Sequence, residues 1–230
     1  MLKYVFLLLI SPAAFADVTV LMYHDINNDP ADEYSVTPAQ FKADMDYIKS
    51  TGLKVIPITE INEVESGVVI TFDDGYKSIL QFMPLLKEYG FPITINIVPS
   101  WITAGFIDDI KPRDVLSWSD VKILHETKLV TIGSHTYTHR NTKRLSYREL
   151  NAEFKAFNMK LMENVGIKTT VLAWPYGLFD DKAIDAAEAN GYRFYQTSIP
   201  GKFKGNTYRI ERFVVNKKLR ASTYLLEVIK

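Results

Sequence analysis

The chain has no cysteine among its 230 residues. That excludes a disulfide framework, a thiol nucleophile and a thiolate-held metal, so any metal site must be built from His, Asp or Glu. Histidine is scarce: there are four, and none follows His139. Charge of one sign is lacking, with 27 Lys and Arg against 27 Asp and Glu. The basic field that nucleic acid or an anionic membrane attracts is therefore missing. No glycine-rich phosphate-cradling loop of either common type occurs, which weakens nucleotide-binding readings. No apolar run reaches the ~20 residues of a membrane-spanning helix. Internal repeats, low-complexity tracts and Gly/Ser linkers are absent too. What remains is an ordinary globular composition, 47% hydrophobic and 23% charged, long enough for one large domain.

Residues 1–16, MLKYVFLLLISPAAFA, place a lysine, a short apolar run and the small-x-small end Ala14-Phe15-Ala16 in that order. This order fits a cleaved secretory signal better than a buried first strand. The expectation is an exported protein, periplasmic or extracellular, with a single domain over 17–230.

Short β-branched runs at 18–22, 68–72, 93–98, 130–132, 169–173 and 193–197 read as strands buried on both faces. Helical patterns lie between them. Thr37 is a candidate N-cap, with Pro38 at the first helical position and Gln40 three residues after the cap. Ser146 and Glu149 form a second capping box, followed by Leu150, Phe154, Phe157 and Leu161 at helical spacing, and Gly166 stops the run. Further helices are predicted over 78–89 and 181–190. Alternating strands and helices imply a parallel α/β fold. A barrel is favoured over an open sheet, because polar clusters follow the C-terminal ends of several strands, where barrel enzymes build their sites.

Three clusters carry the chemistry. Asp73-Asp74-Gly75 ends an apolar run. Gly75 lets the chain bend so that both carboxylates reach one pocket, where one can bind a cation and the other stay free as a base. His135 and His139 are four residues apart, so a helical turn would put both rings on one face. Thr136 stands where a zincin motif has its Glu, so that motif is excluded. A carboxylate and two imidazoles make three protein ligands with positions left open, as in catalytic rather than structural metal sites. Trp174-Pro175-Tyr176-Gly177 follows the fifth run. His125, in a polar helical stretch over 122–128, reads as a solvated bystander.

In this order, Thr71-Phe72-Asp73-Asp74-Gly75, His135-Thr136-x-x-His139 and Trp174-Pro175-Tyr176-Gly177 resemble the first three motifs of the polysaccharide deacetylases, the NodB-like carbohydrate esterases. The resemblance runs from Val18 to the region of Arg212. The opening Leu21-Met22-Tyr23-His24-Asp25-Ile26 resembles the poly-N-acetylglucosamine deacetylase branch. The resemblance implies a distorted (β/α)7 barrel and a divalent metal, usually zinc, held by Asp74, His135 and His139. It implies Asp73 as general base. It also implies a groove lined by Trp174, Pro175 and Tyr176, with the Tyr176 backbone N–H facing the oxyanion.

Two departures from the common family pattern stand out. Ala173 occupies the position of the arginine that orients the base, and the late histidine that supplies the general acid is missing. In the poly-N-acetylglucosamine branch an early Tyr-His supplies the acid, and His24 matches it, with Asp25 its neighbour by sequence. The reading is metal-dependent removal of N-acetyl groups from an N-acetylglucosamine polymer. The alternatives are a non-catalytic glycan-binding module on the same barrel, motivated by Ala173, and a metal-dependent esterase or amidase acting on small acyl substrates.

Overall fold

All six apolar runs become strands of one parallel sheet in the computed structural model, which describes residues 17–29, 31–105 and 114–226. The strands are β1 (Asp17–Tyr23), β2 (Ser66–Phe72), β3 (Ile93–Ile97), β4 (Val130–Ser134), β5 (Val171–Ala173), β6 (Phe194–Gln196) and β7 (Phe213–Val214). Their order is β6-β5-β4-β3-β2-β1-β7, with every pairing parallel. Around them run α1 (Pro38–Thr51), α2 (Met83–Tyr89), α3 (Pro99–Ala104), α4 (Trp118–Glu126), α5 (Tyr147–Val165), α6 (Asp181–Ala189) and α7 (Ala221–Leu225). The curled sheet is a distorted (β/α)7 barrel, and a bridge between Gln196 and Ile210 links β6 to the segment leading into β7. Residues 1–16, where the sequence predicts a secretory signal, lie outside the described residues.

Strand alternation decides which side chains reach the site. Along β2, Val68, Ile70 and Phe72 pack outward with α1 residues such as Phe41 and Met45. Val69 points inward to a separate cluster with Val18 and Val20. Asp73 continues the inner face begun by Val69 and Thr71. The same alternation turns Asn96 of β3 and Gln196 of β6 inward, and both are fully buried. Gly133 in β4 leaves room for this polar layer, since a Cβ there would stand 2.1 Å from Asn96 Oδ1.

Both predicted capping boxes form. Thr37 Oγ1 accepts from the Gln40 N–H and Gln40 Oε1 from the Thr37 N–H. Ser146 and Glu149 do the same at the start of α5, which ends on left-handed Gly166. Three elements differ from expectation. The helix predicted over 78–89 is split into a 3-10 stretch, Lys77–Phe82, and α2. Pro84, which lacks an N–H, allows an α-helix to start there but not to run through from upstream. The stretch at 122–128 belongs to a helix that starts earlier, at Trp118, and stops before left-handed Lys128. β7 has only two residues, too few to leave a periodic signal. It pairs Leu21 with Phe213 and Met22 with Val214, setting the late chain beside the early one.

Candidate metal centre and active-site cleft

The C-terminal rim of β1, β2 and β4 opens into a cleft of about 630 Å³ whose walls include His24, Asp73, Asp74, His135, His139 and Tyr176. The chain brings these side chains together by strained backbone. Asp74, Thr136, His139 and Tyr176 all adopt positive φ, at 74°, 63°, 58° and 58°. Left-handed non-glycine residues cost roughly 1–3 kcal/mol each and concentrate at functional sites. His135 and His139 therefore meet in an irregular turn after β4 and not on one face of a helix, which corrects the expectation drawn from their spacing.

Asp74 Oδ1 lies 3.6 Å from His135 Nε2 and 3.7 Å from His139 Nε2, and the two Nε2 atoms are 3.1 Å apart. A tetrahedral ion with bonds of ~2.0–2.1 Å spaces its ligands about 3.3–3.4 Å apart, so the set fits zinc-like coordination. His135 Nδ1 is 2.8 Å from the Ala173 carbonyl. Donation there leaves the Nε2 lone pair facing the other two ligands. Burial lowers the His135 pKa despite nearby Asp73. His139 is lowered to about 2, first by burial and then by His135. Both rings are thus neutral, as metal ligands must be.

Asp73 is buried beside this set. Its Oδ1 accepts from Asn96 Nδ2 at 2.7 Å and Arg212 Nη1 at 2.9 Å, and its Oδ2 from Arg212 Nη2 at 2.7 Å. Oδ2 is also 4.0 Å from His135 Nε2, so it is the oxygen turned toward the ligand set. Burial alone would raise the Asp73 pKa. The Arg212 guanidinium, by its charge and its hydrogen bonds, outweighs it and holds the carboxyl far below the usual range. Arg212 is itself fully buried, and its Nε donates to the Thr197 carbonyl at 2.8 Å.

Sequence reasoning missed Arg212, which from the position directly before β7 places beside Asp73 a guanidinium that Ala173 cannot supply. The available signal was a lone arginine inside the apolar stretch Ile210-Glu211-Arg212-Phe213-Val214-Val215. His24 lines the cleft, with its ring 5.6 Å from that of Tyr34. Its Nδ1 is buried without a hydrogen-bond partner among the described residues. Burial pushes its pKa down to about 4, against the ordinary imidazole value expected from sequence.

Asp25 does not face this cleft. Its carboxylate accepts from Ile26 N, Asn27 Nδ2 and Ser78 Oγ within the loop after β1. Trp174 touches the cleft, but its side chain is fully buried, stacked between Phe179 and Tyr195 at 5.3 and 5.7 Å. It stiffens the wall and has no face to offer a sugar. Pro175 is likewise buried. Tyr176 is 65% exposed, its ring 4.7 Å from that of His139, and so is the member of this motif open to a ligand. His125 stands away from the cleft, beside Lys128 and Lys168 at the opposite end of the strands.

The family model for polysaccharide deacetylases matches residues 61–195, more than half of the chain, which therefore belongs to that family. The matched segment contains Asp73, Asp74, His135, His139 and 174–177 but neither His24 nor Arg212. The poly-beta-1,6-N-acetyl-D-glucosamine N-deacetylase of Staphylococcus epidermidis is 28% identical over 201 residues, covering 80% of this chain and 68% of that protein. The Escherichia coli protein of the same name is 23% identical over 226 residues, covering 79% of this chain but 34% of its own length. The chain thus spans about a third of that relative. A crystal structure of a polysaccharide deacetylase from Bacillus cereus aligns with a TM-score of 0.76 at 26% identity, covering 93% of this chain and 69% of that one.

Proposed function

We propose that this chain is an exported, metal-dependent hydrolase that removes N-acetyl groups from an N-acetylglucosamine polymer and releases acetate. The observation that carries the reading is the convergence of Asp74, His135 and His139 beside a separate, buried and ionised Asp73. The names of the relatives favour a β-1,6-linked polymer, and the order of residues 1–16 favours export.

Asp74, His135 and His139 would hold the divalent ion, assigned as zinc from the ligand set and its spacing. A bound ion supplies Lewis acidity and makes a water acidic enough to attack at neutral pH. Asp73 accepts the water's proton at Oδ2. Strongly ionised by Arg212, it is always available but weak as a base, which suits an acidified water. Arg212 and Asn96 fix the carboxylate so that Oδ2 faces the attack site. Tyr176 borders the same space, and its backbone N–H is the assigned donor to the developing oxyanion.

The departing amine needs a proton, and His24 is the assigned donor. The resting ring is neutral at pH 7, so it first takes up a proton from solvent, favoured by the still-ionised Asp73 nearby. It gives that proton to the nitrogen as the C–N bond breaks, while Asp73 keeps the proton it took from the water. The non-catalytic reading loses its motive, because Arg212 supplies the guanidinium that Ala173 does not.

The test is acetate release from β-1,6-linked N-acetylglucosamine oligomers, chitin oligomers, peptidoglycan fragments and a small acetyl ester, before and after chelation. Zinc-restored release from one of the glycans is expected. Turnover of the ester alone, or turnover untouched by chelation, would overturn the reading.

A further inference from the structure

The loop that carries both histidines has no ladder to lie in. β4 ends at Ser134, and the next five residues turn with Thr136 and His139 left-handed. Every backbone N–H from Thr136 to His139 is nonetheless taken by a side-chain oxygen. Thr136 N donates to Ser134 Oγ at 3.1 Å and His139 N to Thr136 Oγ1 at 3.0 Å. The two between them, Tyr137 N and Thr138 N, donate to one oxygen, Glu153 Oε2, at 3.0 and 2.8 Å. Thr138 Oγ1 donates to Glu153 Oε1 at 2.6 Å.

Glu153 reaches the loop from the second turn of α5. It sits on that helix's inner face next to Phe154 and is only 7% exposed. A carboxylate is a costly group to bury. Among the described residues no Lys or Arg pairs with it, and its three donors all come from the loop. Two successive N–H groups cupping one anionic oxygen form a small nest that fixes the local backbone.

We infer that Glu153 is the positioning residue of the metal centre: it locks the turn in which His135 and His139 point at the same ion. This rests on the metal-dependent reading above. Loop closure alone does not require a carboxylate, and apolar packing already holds α5 through Leu150, Phe154, Phe157 and Leu161. What the carboxylate adds is the placement of the one turn whose two ends are ligands. Groups that support ligands in this way typically change metal affinity by 10–100-fold when removed.

The test is a zinc titration of the purified apo-protein against a chromophoric chelator, alongside circular dichroism and thermal melting of the same samples. Glu153→Ala should remain folded and bind zinc ~10–100-fold more weakly. Glu153→Gln should recover wild-type affinity to within about threefold. Its amide oxygen can take both N–H groups, and its NH₂ can donate to a rotated Thr138 hydroxyl.

Wild-type zinc affinity in folded Glu153→Ala would overturn the inference. So would a Gln variant as weak as the Ala variant, which would point to charge and not hydrogen-bond geometry. If Glu153→Ala does not fold, Glu153→Asp is read instead. One methylene shorter, it cannot reach both N–H groups, so zinc binding should weaken at least tenfold, and unchanged affinity would overturn the inference. Failure of the wild type to bind zinc would instead overturn the metal-dependent reading, taking this inference with it.

Discussion

Arg212 and Asp73 form a bidentate pair with both partners buried, so each is committed to the other. Removing one side of such a pair leaves an uncompensated charge and costs about 3–5 kcal/mol. Arg212→Ala should therefore lower both stability and turnover, whereas Arg212→Lys should keep the charge and lose the fork that fixes both Asp73 oxygens. Both variants should retain zinc, because neither touches a ligand. Turnover in Arg212→Lys equal to wild type would show that bidentate orientation is dispensable. Asp73→Asn cannot accept a proton, and its rate should fall ~10²–10⁴-fold with zinc still bound. His24→Ala is the sharper case. Its ring makes no hydrogen bond at Nδ1 among the described residues, so little stability should be lost with it. Single-turnover acetate release should drop ~10²–10⁴-fold while the zinc content stays constant. If release is unchanged, Asp73 performs both proton transfers and His24 is only part of the wall.

Gly133 shows how an element, and not a single catalytic group, holds the site. An Ala there would press its Cβ on Asn96 Oδ1, and Asn96 is one of the donors that fix Asp73. Gly133→Ala should be expressed with a melting temperature several degrees lower and a kcat depressed more than KM is raised. A wild-type melt and kcat would mean that Asn96 swings aside freely. The strands were legible in the sequence because parallel strands buried on both sides read as largely continuous apolar runs, as most of β1 to β6 do. The cleft was legible because its motifs sit directly after those runs. The metal-ligand turn was not. A spacing of i and i+4 between the histidines suggests a helix, but the left-handed backbone at Thr136 and His139 is enforced by Ser134, Thr136 and Glu153 side chains, and Glu153 lies fourteen residues beyond His139. Arg212 escaped for the same reason. It reaches Asp73 from 139 residues away, and only closure of β1 against β7 puts it there. Trp174, taken from the motif as a groove residue, shows the converse: local sequence cannot tell a wall stacked between Phe179 and Tyr195 from a platform.

For the whole molecule, a metal held as proposed would be a ligand of the folded state, and its loss should be visible in stability. At a zinc concentration a hundred times Kd, binding adds about 2.7 kcal/mol. At about 2–4 °C per kcal/mol for a domain of this size, chelation should lower the melting temperature by roughly 5–11 °C. His135→Ala should show neither the zinc nor the shift. The stripped protein has its own dependence on pH. His24 and His139 are held at about 4 and about 2 in the folded chain, in each case chiefly by burial, against an ordinary value of 6.5. Below pH 6.5 the unfolded chain takes up protons on both rings that the folded chain refuses. Folding stability must therefore fall as pH falls, by about 1.4 kcal/mol per pH unit for each group once well below 6.5. Asp73, with its folded pKa depressed, acts in the same direction only near and below the ordinary carboxylate range, so the window from pH 6.5 to 5 isolates the histidines. Urea unfolding of the zinc-free protein across that window should show a midpoint that drops steadily. His24→Ala should flatten the slope by about one proton. A midpoint constant from pH 6.5 to 5 would mean that the folded rings take up protons in step with the unfolded chain, at the ordinary imidazole value, and a ligand set that charges so readily would be poorly prepared to receive a cation.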